Sequence, residues 1–215
     1  MSAWQAVGNV SGSGEPAGRG KPLARLKRSL ATLALALGLT GGGIGAYWGA
    51  LQYQGNFHAV DAGMLYRSAQ LSRSEFAAAA RDYGIKSVLN LRGAHAGQSW
   101  YDEEIAAAGE LGLAHYDIGL SAKRIVTAGQ IGEVLDILRR APKPLLIHCR
   151  SGSDRSGLVA ALYRFALAGA TAEEAASELS LLYGHFPYLT NRTVAMDESF
   201  SAFAAASAGA AAARP

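Results

Sequence analysis

The chain has 215 residues, half of them apolar, with 20 basic and 17 acidic side chains and a formal net charge of +3. That length allows one domain with attachments and a substantial core, and so small a charge gives nucleic-acid binding no support. A single cysteine excludes an intramolecular disulfide framework, so the fold must rest on its core.

Residues 1–29 read as a disordered basic tail: Gly, Ser and Ala dominate without hydrophobic periodicity, and Arg19, Lys21, Arg25, Lys27 and Arg28 face only Glu15. Leu30 to Leu51 then runs 22 residues without a charge. At ~1.5 Å rise per residue this spans a hydrocarbon core about 30 Å thick, so residues 30–52 are read as one transmembrane helix. A cleaved signal peptide is the rival, because a basic segment precedes a Leu/Ala-rich run. Against cleavage stand the distance of the basic region from the start and the absence of a small-x-small exit at Ala46-Tyr47-Trp48. No Lys or Arg follows until Arg67, which predicts a periplasmic placement for everything beyond the helix. Tyr47, Trp48 and Tyr53 suit an aromatic belt at the exit side. Gly41, Gly45 and Gly49 recur every fourth residue, a spacing that admits a homodimer through the helix, although glycine is also simply common in membrane helices.

Gln54 to Asp61 reads as a linker and Met64 to Ser68 as a first strand. Ser72 and Glu75 form a capping box for a helix that ends at Gly84. Lys86 to Leu91 is a strand, Ser99 to Leu111 a helix with acids in its first turns, and Ala114 to Ile118 a third strand. Thr127 caps a helix whose Ile131, Val134, Leu135 and Leu138 make a core-facing stripe, closed by Pro142 and Pro144. Leu145 to Ile147 is a buried strand and Leu158 to Leu167 an apolar helix. Thr171 and Glu174 form another capping box, Gly184 ends that helix, and Asn191 to Ala206 is the last helix before an Ala-rich tail at 207–215. Strands alternating with helices predict an α/β domain over residues 57–206: a central, mostly parallel sheet of four to five strands flanked by helices, preceded by the single transmembrane helix. In such a sheet the ligand binds beyond the carboxyl ends of the strands.

Cys149 sits at such an end, where the 145–147 strand breaks into a polar loop before the next helix. A strand-to-helix junction points backbone N–H groups and the positive helix end at one spot, which suits an anion, and Arg155 could fork onto two of its oxygens. The same field favours thiolate at Cys149, making it a nucleophile.

His148-Cys149-x-x-Gly152-x-x-Arg155-Ser156 resembles the signature of the protein tyrosine phosphatase superfamily, in particular its dual-specificity and bacterial branches. Tyr66-Arg67-Ser68-Ala69-Gln70 and Asn90-Leu91-Arg92 resemble it too, and the resemblance covers roughly residues 57 to 205. It implies the cysteine-phosphatase fold and hydrolysis of phosphate monoesters without metal or organic cofactor. Cys149 would form a phosphocysteine; Arg155 and the amides of Arg150, Ser151, Gly152, Ser153 and Asp154 would hold the oxygens; Ser156 would ease thiolate departure; and His148 would order the loop. For the acid that protonates the leaving oxygen, the resemblance implies Asp117, at the end of the third strand, with Asp154 as the alternative. Arg67 and Arg92 are expected to brace loops.

Lys123, Arg124 and Arg150 could form a basic rim for multiply charged substrates. Ser153, however, stands where branches associated with inositol or lipid phosphates carry lysine. The five histidines are scattered without metal-ligand spacing. The expected partner is a phosphorylated protein or a lipid headgroup at the membrane. A phospholigand-binding module on an anchor, with little turnover, is the competing class.

Overall fold

The computed structural model describes residues 21–188 and 191–212. Of the two expected tails, residues 1–20 and 213–215 lie outside the described residues. The elements in chain order are α1 (Lys21–Tyr53), β1 (His58–Asp61), β2 (Leu65–Ser68), α2 (Arg73–Asp82), β3 (Ser87–Asn90), α3 (Ser99–Glu110), β4 (Ala114–Asp117), α4 (Ala128–Arg140), β5 (Leu145–His148), α5 (Asp154–Ala166), α6 (Ala172–Ala176), a 3-10 turn (Leu181–Tyr183) and α7 (Val194–Ala212).

The chain divides after Gly45 into two units. The first contains most of α1, a helix long and apolar enough to cross a membrane by length and composition, with a mean hydropathy of 1.5 in its most apolar window. The helix starts at Lys21, so it takes in residues 21–29 that composition assigned to the tail. Lys, Leu, Ala and Arg there are strong helix formers, which outweighs the lack of periodicity.

The second unit, from Ala46 onward, is the α/β domain. Its five-stranded sheet has the order β1-β2-β5-β3-β4. Strands β2, β5, β3 and β4 are parallel, and β1 joins β2 antiparallel at the edge. The segment read as a linker therefore contains a strand. Four residues with mixed burial carry too short an alternation to be legible, and the turn through Gly63 at φ 80° folds β1 back on β2.

The period of two along β5 assigns its side chains to two layers. Leu145 and Ile147 join the larger core cluster with Val134 and Leu138 of α4, Leu158 and Leu162 of α5, and Met196 and Phe200 of α7. Leu146 faces the opposite layer, with Phe76 of α2 and Ala107 and Ala108 of α3. The stripe predicted on α4 is buried as expected, and the capping boxes at Ser72, Thr127 and Thr171 all form.

Other boundaries differ as well. Helix α5 begins at Asp154, not Leu158, because the polar Asp-Arg-Ser segment supplies its first turn. The helix capped by Thr171 lasts five residues, and Gly184 in the left-handed region ends the separate 3-10 turn. Helix α7 runs on through Ala212, into the segment read as a tail.

Leu138 is 1% exposed within the larger cluster. Leu138→Ala should lower stability by about 2–5 kcal/mol, read as a lower urea midpoint with an unchanged m-value.

Candidate active site

The parallel register brings four residues level at the carboxyl edge of the sheet: Ser68 pairs with His148, His148 with Asn90, and Asn90 with Asp117. The next residue after His148 is Cys149, from which the chain turns through Arg150–Ser153 into the first turn of α5. The loop can close this tightly because Gly152 adopts φ +73; a Cβ there would lie 2.6 Å from the amide nitrogen of Ala69. Among the described residues, the amides of Arg150, Ser151 and Ser153 donate to no backbone carbonyl. Together with the free N–H groups of the α5 first turn they form an anion-binding concavity.

Cys149 is 1% exposed. Burial pushes its thiol up, but the charge of Arg155, the Ser156 hydroxyl at 3.5 Å and the amides of Ser156 and Gly152 together outweigh that and hold it below the usual thiol range. Arg155 donates from Nη1 to the carbonyls of Leu91 and Leu120, which fixes its guanidinium between the loops after β3 and β4. Its Nε is buried and has no protein partner among the described residues. A donor so placed suits an oxygen of a bound anion. Residues Cys149, Arg155 and Ser156 are thus brought together.

Beneath the loop lies Arg67, fully buried. It donates from Nη2 to the carbonyls of Gly152 and Ser153, and from Nη1 to the carbonyl and carboxylate of Glu178. The bracing role expected of it is the one it has. A second brace was not legible from sequence. Asn56, 1% exposed, donates to the carbonyls of Ser151 and Tyr183, and Gln52 on the last turn of α1 donates to the same Ser151 carbonyl. Tyr47 donates to the carbonyl of Leu182 and Trp48 packs edge-on against Phe186. Two of the three aromatics assigned to a membrane belt are therefore held by the folded unit, whereas Tyr53 is exposed.

On the α2/α3 side, Glu104 gathers the network that holds His148. Its Oε1 meets Nε2 of both His148 and His115, at 3.0 and 2.8 Å, and its Oε2 accepts from Gln70. Burial pushes the Glu104 carboxyl up, but those hydrogen bonds prevail and bring it down to about 2. Asp117 lies in the same layer. Its Oδ1 accepts from Asn90 and its Oδ2 from Tyr101, whose phenol is pushed up to about 12, chiefly by that bond. Asp154, the other candidate acid, presents Oδ1 to Nδ1 of His185 at 2.7 Å, and its Oδ2 has no protein partner among the described residues.

Of the predicted basic rim, Arg150 is in the loop, while Lys123 and Arg124 line a groove with Asn191 and Glu198. Arg92 lies 3.3 Å from the ring centroid of Trp100 and donates to Gln70. Burial first, then the charges of Arg155 and Arg150, bring it below the usual arginine range. The charges of Arg150 and Arg155 thus both reach Arg92. Among the described residues no cluster of His, Cys, Asp and Glu could hold a metal.

Residues 48–181 match the tyrosine phosphatase family. No curated protein matches the sequence significantly. The crystal structure of TpbA from P. aeruginosa is 22% identical, with 71% of this chain and 91% of that chain covered and a TM-score of 0.53. The same protein in complex with pTyr gives 21% identity, coverage of 72% and 91%, and a TM-score of 0.54. The core catalytic domain of the PP-IP phosphatase SIW14 from S. cerevisiae, in complex with citrate, is 21% identical, with coverage of 71% and 92% and a TM-score of 0.53. At these identities the likeness is one of fold.

Arg67→Met should leave two loop carbonyls without their donor and Glu178 with only the 3.3 Å contact from Arg164, at a cost of about 3–5 kcal/mol in a denaturant titration. Glu104 is lowered from 4.5 to about 2, so its stabilisation is complete above pH 4.5 and is lost as pH falls from there through about 2. Glu104→Gln should flatten the loss of thermal stability across that window.

Proposed function

The chain belongs to the tyrosine phosphatase family and is a cysteine-type phosphatase, and from that premise we propose that it hydrolyses phosphate monoesters through a phosphocysteine on Cys149. The observation that carries this is a buried thiol held below its ordinary range by Arg155, Ser156 and two loop amides, at the base of an anion-binding turn. Attack on phosphorus would spread charge over three equatorial oxygens. The free amides of Arg150, Ser151 and Ser153 and the unpaired Arg155 Nε are the donors for them. Ser156, hydrogen-bonded to the sulfur, would stabilise the thiolate again as water releases phosphate.

For the acid we favour Asp154 over Asp117. Each oxygen of Asp117 already accepts a hydrogen bond, one from Asn90 and one from Tyr101, which ties this carboxylate to β3 and α3. Its side chain also belongs to the α2/α3 layer, whereas Cys149 belongs to the layer of α4 and α5. Asp154 adjoins Arg155 in the loop and keeps one oxygen free of protein partners among the described residues.

The substrate we propose is a phosphorylated protein or a lipid or glycolipid phosphate presented beside a bilayer, with α1 as a single-pass anchor and the domain in the periplasm. The apolar length of α1 and the basic residues before it support the anchor. Pairing of two copies through Gly41, Gly45 and Gly49 is compatible with it, since each would leave room for a neighbour. The guanidiniums of Arg92, Arg150 and Arg155 favour substrates with more than one negative charge.

Cys149→Ser in the full chain should abolish hydrolysis of an aryl phosphate, whereas retained phospholigand binding with no turnover by the wild type would establish the binding-module reading instead. Asp154→Asn should lower kcat on the order of 10²-fold and remove the limb of the pH–rate profile that reports a protonated acid. Asp117→Asn should leave that limb in place.

A further inference from the structure

Behind Asp154 lies a group that the proposed reaction leaves unused. The His185 side chain is fully buried, with Nδ1 2.7 Å from Asp154 Oδ1 and Nε2 2.9 Å from Asp197 Oδ2. Asp154 belongs to α5, Asp197 to α7, and His185 to the segment between the 3-10 turn and α7. Asp154 and Asp197 are the charged groups with the largest effect on His185.

Two contacts this short between one imidazole and two carboxyl groups require a proton on each line. A neutral ring carries only one N–H, so the second contact would set a lone pair against a lone pair. The trio must therefore hold one proton beyond those of a neutral imidazole and two carboxylates. Burial alone would drive that proton off the ring, but the hydrogen bonds to Asp154 and Asp197, with their charges, prevail and raise His185 above the ordinary histidine value.

This resolves a difficulty in the acid assignment. An aspartic acid free in water is almost wholly ionised at neutral pH, so a carboxylate that is to act as an acid needs a proton source beside it. A buried imidazolium against its carboxylate keeps a proton one hydrogen bond away.

We propose that His185 is the positioning residue that stores the leaving-group proton of this phosphatase and delivers it through Asp154, with Asp197 holding the ring in place. The inference rests on the reading of Asp154 as the acid. As the Cys149–phosphorus bond forms and the phosphorus–oxygen bond to the leaving group breaks, His185 Nδ1 passes its proton to the Asp154 carboxylate, and the carboxyl so formed gives that proton to the leaving oxygen. Neutral His185 then retains its Nε2–H toward Asp197. When water attacks the phosphocysteine, the water oxygen bonds to phosphorus and the sulfur departs as thiolate. The proton released by water returns through Asp154 to Nδ1, so the trio ends as it began.

The test uses the full chain and aryl phosphates of graded leaving-group pKa. His185→Gln keeps a hydrogen-bonding side chain but cannot hold the proton. It should lower kcat on the order of 10²-fold for phenyl phosphate, by a small factor for a strongly activated nitrophenyl ester, and should leave KM unchanged. Asp197→Asn, at a partly exposed site, keeps the contact but removes a charge, and should move the basic limb of the kcat–pH profile to lower pH. An equal loss for all leaving groups with His185→Gln, or an unmoved basic limb with Asp197→Asn, would overturn the proposal. Asp154→Asn separates the two claims. If its losses do not grow with leaving-group pKa, the acid assignment fails and this inference with it; if they do grow and those of His185→Gln do not, the inference alone fails.

Discussion

Everything around the site answers one demand: a sulfur that can take on negative charge sits at the base of a loop, almost entirely buried. Charge in an apolar interior is expensive unless met by hydrogen bonds and opposite charge. Cys149 is packed in the larger core cluster beside Ile147 and Leu158, so the compensation has to come from the loop itself. Arg155, Ser156 and the amides of Gly152 and Ser156 supply it. Those groups converge only if the chain turns within a few residues, and the turn depends on the backbone that Gly152 alone allows there.

A loop built of outward-facing carbonyls and inward-facing amides needs partners on its outer side as well. Arg67 takes the carbonyls of Gly152 and Ser153, Asn56 and Gln52 take that of Ser151, and Gln70 donates its amide to that of Arg150. Glu104 holds the preceding His148 from the opposite layer of the sheet. The loop is thus gripped from β2, α1, the β1 entry and α3 at once. This over-determination is what keeps donors aimed at the centre before any anion arrives, the preorganisation on which electrostatic catalysis depends.

The parts visible in the sequence are those written in neighbouring residues. Strand Leu145–His148, the loop to Ser156, the α4 stripe and the capping boxes each declare themselves within about a dozen positions. The supports do not. Glu104 lies 44 residues from His148, Asn56 lies 95 from Ser151, and His185 lies 31 from Asp154. Nothing local distinguishes Glu104 from the acids beside it in α3. Strand β1 was hidden by its brevity. Asp117 was placed correctly at a strand end, but that both its oxygens would be occupied depends on Tyr101, a residue on a different element. Gly184 could have pointed toward His185 as the end of a turn, though not toward what the ring would meet.

The last turns of α1 carry a consequence for where the enzyme begins. Leu51 is buried, Tyr47 and Trp48 are tied to the 182–186 segment, and Gln52 shares the Ser151 carbonyl with Asn56. That segment includes His185, so the last turns of α1 meet both the anion loop and the stretch that carries the imidazole facing Asp154. Cutting the chain just after Tyr53 would remove a wedge and leave a buried face of the 182–186 segment bare.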